Sequence, residues 1–105
     1  MEHTQNIPES VIRFLRFLTV STAIDRIVLF GSRAFGDNDP RADVDIAVSA
    51  PTLNRLQFAR FRVAAYEART LYWVSLIHLE ETPEVLRKRI EEQGVILYDR
   101  QKTKR

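Results

Sequence analysis

The sequence predicts a single α/β domain of the two-layer α+β kind, in which helices flank a central mixed β-sheet. Apolar residues recur at helical spacing in three stretches, short apolar runs lie between them, and 105 residues is the length of one domain. The predicted order is helix, strand, strand, helix, strand, helix, strand, which is typical of a sheet covered by helices. We therefore expect one domain over residues 1–105, with a solvated tail at about 100–105.

The first half of the chain is expected to contain one helix and two strands. Pro8 suits a first helical position, and the apolar face that follows predicts a helix over residues 8–20. The run RIVLF at 26–30 ends at a glycine and predicts a buried strand. Turn-forming residues at 36–42 precede a second strand that begins near Asp43. Its period of two places Val44, Ile46 and Val48 on one face, and Asp43, Asp45 and Ala47 on the other.

The second half is expected to contain a helix over 53–69, a strand over 71–79, a helix that Thr82 caps and that ends near Gly94, and a strand over 95–98. The first of these helices has two apolar stripes. One stripe comprises Leu56, Ala59, Val63 and Ala64, and the other comprises Phe58, Phe61 and Ala65. Either both are buried within the monomer or one contacts a partner.

Composition excludes several classes of protein. Without cysteine the chain has no disulfide, thiolate metal site or cysteine nucleophile. The N-terminus MEHTQNIPES does not read as a signal peptide, and no apolar run is long enough to cross a bilayer, so we expect a cytoplasmic protein with no membrane partner. A net charge of only +2 is weak evidence for a nucleic-acid partner, and we expect no direct contact with nucleic acid. A domain this short is expected to need a partner, which could be another protein or a second copy in a homodimer.

The chemistry is concentrated in the segment FGSRAFGDNDPRADVDIAV, residues 30–48. Gly31-Ser32 follows the first strand, and ten residues separate it from Asp43-x-Asp45. Gly31 allows a tight turn and the close approach of a phosphate, and Ser32 opens a short helix whose amides favour anions. Asp43 and Asp45 point the same way from one strand, and their oxygens suit Mg²⁺. We expect two Mg²⁺ ions, one activating an attacking hydroxyl and one neutralising a leaving pyrophosphate.

These residues resemble the Gly-Ser, ten residues, Asp-x-Asp pattern of DNA polymerase β-like nucleotidyltransferases. The short length and the closing segment PEVLRKRIEEQGVILYD look like the minimal nucleotidyltransferase (MNT) antitoxin branch. The resemblance implies the nucleotidyltransferase fold and Mg²⁺-dependent transfer of AMP from ATP. It also implies a partner, a HEPN-domain ribonuclease toxin encoded by an adjacent gene, with a tyrosine as acceptor.

Transferred onto this chain, the resemblance makes Gly31 and Ser32 the phosphate grip, and makes Asp43 and Asp45 the catalytic metal ligands. Arg33 follows the grip and is expected either to assist the phosphate or to pair with a surface carboxylate such as Asp37 or Asp39.

One position departs from the family pattern. Active members have a third carboxylate on the next central strand, and aligning LYWVSLIHL with that strand places Ser75 there. Serine is a poor Mg²⁺ ligand and does not accept a proton at neutral pH. His78 lies at an odd offset from Ser75, so it should face the other side of the strand as a polar surface or edge residue. Glu80 also lies at an odd offset, beyond the expected strand end.

The sequence is consistent with three hypotheses of function. The first is an adenylyltransferase antitoxin that modifies its toxin. The second is an antitoxin of the same fold that has weak or no catalysis and neutralises the toxin by binding. The third, an enzyme that modifies small molecules, is disfavoured because such chains usually need a further domain to hold the substrate.

Overall fold

The computed structural model describes residues 1–103, which form a four-stranded sheet and five helices. The strands are β1 (Arg26–Phe30), β2 (Val44–Ser49), β3 (Val74–His78) and β4 (Val95–Asp99). The helices are α1 (Glu9–Leu18), α2 (Ser32–Phe35), α3 (Arg55–Glu67), α4 (Glu84–Gln93) and α5 (Arg100–Thr103), and a 3₁₀ turn spans Leu79–Glu81.

The sheet has the strand order β3-β2-β1-β4 and is mixed, as predicted. β1 runs antiparallel to both β2 and β4, whereas β2 and β3 are parallel. The two parallel strands are joined by α3, because parallel neighbours need a long crossover connection, which is usually a helix. The predicted α+β fold is therefore confirmed.

The two faces of the sheet are covered differently. On the first face, α1 and α3 pack over the inward residues of all four strands and form the main core. On the second face, Ile90 of α4 joins a smaller cluster with Val28, Ala47 and Leu79. The alternation predicted for β2 is confirmed, because Val44, Ile46 and Val48 lie in the main core and Ala47 in the smaller cluster.

Some element boundaries differ from the prediction. β3 begins at Val74 rather than at residue 71, because Thr70 turns the preceding chain and accepts a hydrogen bond from the Tyr72 amide at 3.2 Å. Thr82 does not cap α4; its hydroxyl donates instead to the His78 carbonyl oxygen at 2.8 Å. The expected tail falls partly on the short helix α5 and partly on residues 104–105, which lie outside the described residues.

The two apolar stripes of α3 have different fates. Phe58 is fully buried and Ala65 is nearly so, whereas Leu56 is 79% exposed and Val63 is 56% exposed. Asn54 caps this helix through a reciprocal pair of hydrogen bonds with Gln57. The stripe of Phe58 and Ala65 thus packs on the sheet, whereas only Leu56 and Val63 of the other stripe remain on the surface, since Ala64 packs against the main core and Ala59 is half-buried. Within residues 1–103, no helix combines the length and apolar character needed to cross a membrane.

Candidate active site

The candidate site lies on the second face of the sheet, where three strands place one residue each in a row. Asp45 of β2 pairs with Phe30 of the antiparallel β1 and with Ser75 of the parallel β3. Directly paired residues on neighbouring strands present their side chains to the same face. Ser75 is therefore the lateral neighbour of Asp45, in the register that the sequence alignment predicted.

The turn that follows β1 brings Gly31 against Asp45. Gly31 has φ 74° and ψ −159°, a region of backbone conformation that is almost exclusive to glycine. A Cβ at this position would overlap the Asp45 Oδ2 atom and lie 3.1 Å from its Cγ atom. The absence of a side chain at residue 31 is thus what allows the carboxylate and the turn to occupy adjacent space.

Asp43 and Asp45 lie close together, although they differ in exposure. Asp43 is exposed just before β2, and Asp45 is half-buried within the strand. Burial raises the pKa of the Asp45 carboxyl above its ordinary value of 3.8, and the negative charge of Asp43 raises it further. A cation bound between the two carboxylates would offset this mutual repulsion.

Ser32 begins α2 directly after the Gly31 turn, and its side chain is exposed. The turn therefore places Ser32 at the same edge of the sheet as Asp45. Gly31, Ser32, Asp43 and Asp45, which were predicted from their spacing, are brought together.

Arg33 is not part of this group, because its side chain is 5% exposed and its donors face the protein interior. Nε and Nη2 donate to the Ala42 carbonyl oxygen at 3.1 and 2.8 Å, Nη1 donates to the Asn6 oxygen at 2.9 Å, and Nη2 also reaches the Pro40 oxygen at 2.9 Å. Neither the expected phosphate contact nor the alternative ion pair with Asp37 or Asp39 fits this placement. Arg33 fastens the loop that leads to the carboxylates.

His78 and Glu80 occupy the opposite end of the parallel strands from Asp45. The prediction that His78 is a surface or edge residue is wrong: it is 2% exposed and stacks on Phe58 of α3 at 4.3 Å. Its opposite-face orientation was predicted correctly. Glu80 accepts hydrogen bonds from the Ser49 hydroxyl at 2.6 Å and from the Ala50 amide at 2.7 Å. Glu80 therefore caps the end of β2 and does not replace the carboxylate missing at Ser75.

The donor set fits a magnesium ion that completes its coordination with phosphate oxygens. Within the described chain, no cluster of three or more histidine, cysteine, aspartate or glutamate side chains could enclose a metal. Mg²⁺ usually takes one or two carboxylates and keeps waters and substrate phosphates as its other ligands. Asp43 and Asp45, beside a turn bare enough for a phosphate to approach, match that requirement.

Comparison with known proteins matches most of the chain to one family model. The family model described as Polymerase beta, Nucleotidyltransferase matches residues 14–103. No curated protein sequence matches the chain.

Several solved structures of toxin–antitoxin complexes are similar to the chain. One is a toxin-antitoxin with AMP-PNP, with 28% identity and a TM-score of 0.63 over 90% of this chain and 75% of that chain. Another is a tri-AMPylated Shewanella oneidensis HEPN toxin in complex with an MNT antitoxin, with 27% identity, a TM-score of 0.58, and 90% and 71% coverage. A third, MntA-HepT, has 26% identity, a TM-score of 0.57, and 90% and 72% coverage.

Proposed function

The chain belongs to the polymerase beta nucleotidyltransferase family, and on that basis we propose that it is an ATP- and Mg²⁺-dependent adenylyltransferase antitoxin. Its proposed substrate is a tyrosine of a HEPN-domain ribonuclease toxin encoded by an adjacent gene, and its proposed location is the cytoplasm. The similar solved complexes include one with AMP-PNP and one with a tri-AMPylated HEPN toxin, which supports both the nucleotide and the reaction.

The observation that supports this proposal best is the contact between the Gly31 turn and Asp45. A nucleotidyltransferase must hold phosphates and metal-binding carboxylates within a few ångströms of each other. Here the bare backbone at Gly31 touches the carboxylate, and the charge of Asp43 acts on the same group.

The proposed reaction forms a bond between the tyrosine oxygen and the α-phosphorus of ATP. The bond to the bridging oxygen breaks, pyrophosphate leaves with that electron pair, and the tyrosine proton passes to solvent. Magnesium would neutralise the phosphate charge and lower the pKa of the attacking hydroxyl. Asp43 and Asp45 would hold and orient the metal-bound phosphates, and Gly31 and Ser32 would contact the phosphate oxygens.

The exposed stripe of α3 supports a protein partner. Leu56 and Val63 lie on the solvent side of this helix, and Tyr66, 77% exposed, continues the stripe one turn later. Tyr66 packs edge-on against Trp73, which is 59% exposed, so aromatic surface extends to the start of β3. Apolar surface of this kind marks contact sites, and we propose that it contacts the toxin.

A second candidate function rests on Ser75. The residue beside Asp45 on the parallel strand is a serine, and it offers neither a third anionic ligand nor a general base at neutral pH. On this alternative the chain retains nucleotide binding and neutralises the toxin through the complex alone.

Incubation with α-labelled ATP, Mg²⁺ and the product of the adjacent gene distinguishes the two functions. Label on the toxin, absent with EDTA and with Asp45→Ala, is the result expected for the enzyme. A stable complex that inhibits the ribonuclease without labelling it would establish the binding function instead. Asp99→Ala is a matched control, because it removes a carboxylate at the far end of β4.

A further inference from the structure

A pocket of about 230 Å³ lies next to the Gly31 turn, between α2 and α4 on the second face of the sheet. Gly31 lines one end of it, whereas Ser32, Asp43 and Asp45 do not line it. Its apolar walls are Phe30, Phe35, Leu86 and Ile90, and its polar walls are Arg89 and Gln93.

The apolar part of the pocket is open to solvent on one side. Phe35 is 65% exposed and Leu86 is 39% exposed, whereas Ile90 is buried beneath them. Phe30 pairs directly with Asp45, so the pocket begins one strand away from the metal-binding carboxylate. An exposed phenylalanine beside a buried apolar floor suits a flat aromatic ligand.

The polar part comes from one side of α4. Arg89 and Gln93 are four residues apart and thus lie on the same helical face. Within residues 1–103 neither side chain has a hydrogen bond or an ion pair, although Lys88 on the same helix pairs with Glu84 at 3.4 Å. Arginine offers several donors, and glutamine offers both a donor and an acceptor. Together they suit the edge of a heterocycle that displays ring nitrogens and exocyclic groups.

We propose that this pocket binds the nucleobase of the nucleoside triphosphate, with Phe35 as the stacking residue and Arg89 and Gln93 as the groups that contact the base edge. The inference rests on the proposed function, because it takes the phosphates to lie at Gly31 and Asp45. An inorganic anion alone does not account for the pocket, since four of its side chains are apolar.

Calorimetric titration with Mg²⁺ and either ATP or inorganic tripolyphosphate separates the base from the phosphates. The parent should bind ATP more tightly than tripolyphosphate. Phe35→Ala should weaken ATP binding by about five- to hundredfold, the range that loss of base stacking produces, and leave tripolyphosphate binding unchanged. Gln93→Ala and Arg89→Ala should alter the ratio of the dissociation constants for ATP, GTP, CTP and UTP.

Two control variants match these changes. Phe17→Ala removes a phenylalanine of similar exposure, 59%, from α1 on the other side of the sheet. Arg87→Ala removes an arginine of α4 that does not line the pocket. Both should leave the two ligands' affinities as in the parent.

The outcomes separate this inference from the function on which it rests. If ATP and tripolyphosphate both bind, and if Phe35→Ala and Gln93→Ala affect them equally or not at all, the base pocket is wrong and the nucleotide site remains. If the parent binds neither ligand, both the proposed function and the base pocket are overturned.

Discussion

Replacing Gly31 by alanine should destabilise the metal-free protein more than the same change at Gly36. The two glycines flank α2, and both have positive φ angles, 74° and 81°. They differ in their surroundings. A Cβ at Gly31 would overlap the Asp45 carboxylate, whereas a Cβ at Gly36 has nothing within 4 Å. Gly36→Ala is therefore the matched control, because it imposes backbone strain without a clash.

The expected magnitude follows from these two terms. Alanine at Gly36 occupies the left-handed region, at a cost of about 1–2 kcal/mol in the free energy of unfolding. Alanine at Gly31 occupies a region almost exclusive to glycine, at about 1–3 kcal/mol. Displacing the Asp45 carboxylate into a less favourable rotamer adds about 0.5–1.5 kcal/mol. For a domain of this size each kcal/mol lowers the Tm by about 4–8 °C.

Urea unfolding in EDTA measures both variants, and a double-mutant cycle isolates the clash. Asp45→Ala removes Oδ2 and Cγ, the two atoms nearest to the added methyl group. The double variant Gly31→Ala, Asp45→Ala should thus be more stable than the sum of the single changes predicts, by about 0.5–1.5 kcal/mol. The backbone strain at residue 31 should persist in the double variant.

Two results would refute this reasoning. Equal destabilisation by Gly31→Ala and Gly36→Ala would mean that the carboxylate does not pack against the turn. Additive effects of Gly31→Ala and Asp45→Ala would show that the two residues do not interact, and the proposed phosphate and metal site would lose its main support.

Further predictions concern the charges and the exposed surface. Without metal, the raised pKa of Asp45 makes the folded state bind a proton more readily, so protonation of Asp45 contributes stability below about pH 3.8 that is lost as the pH rises through the folded pKa. Asp45→Asn should remove this loss. If urea unfolding from pH 3 to 7 shows the same change of unfolding free energy with pH in variant and parent, the prediction is contradicted. Asp43→Ala should abolish the Mg²⁺-dependent thermal shift with ATP. It should leave the unliganded Tm within a few degrees of the parent's, since exposed side chains contribute little to packing. A full ligand-induced shift in the variant would exclude the assigned metal site. Ser75→Asp should raise AMP transfer by about 10² to 10⁴, as general-base help typically does, and lower the metal-free Tm because three carboxylates then repel one another; unchanged transfer would mean that Ser75 does not occupy the position of the missing carboxylate. Replacing Leu56 and Val63 by serine should weaken binding of the adjacent gene's product at least tenfold in a pull-down titration. The fold should not change, because both side chains are exposed. Undiminished binding would mean that the partner does not contact this face of α3.

Local patterns in the sequence were sufficient to predict the order of the elements and to select four residues of the candidate site. The period of two in β2 placed Asp45 on the face opposite to that of Val44 and Ile46, and the burial of those two residues confirms this. The glycine after β1 indicated a turn, and its positive φ bears this out. Such predictions succeed because strand periodicity and glycine conformation depend on the nearest neighbours in the chain.

Other features depended on residues far apart in the chain. Arg33 reads as a surface cation, yet it is buried because the Asn6 carbonyl oxygen, 27 positions away, comes within 2.9 Å of its guanidinium. His78 reads as a polar edge residue, yet Phe58 of α3 covers it. Periodicity gave the face of His78 correctly, but the helix that covers that face was decided by the packing of the whole chain.

The base pocket also depends on residues that are far apart in the chain. Phe35 and Gln93 lie 58 positions apart in the chain, and the apolar and polar residues that meet there have no spacing that a single segment could display. By itself, the sequence determined the family pattern of Gly31, Ser32, Asp43 and Asp45, because that pattern lies within one continuous segment, from the turn after β1 to the start of β2. Only the tertiary structure decided what surrounds it, because the parallel pairing of β2 with β3 and the packing of α4 on β1 join segments whose contacts no local period encodes.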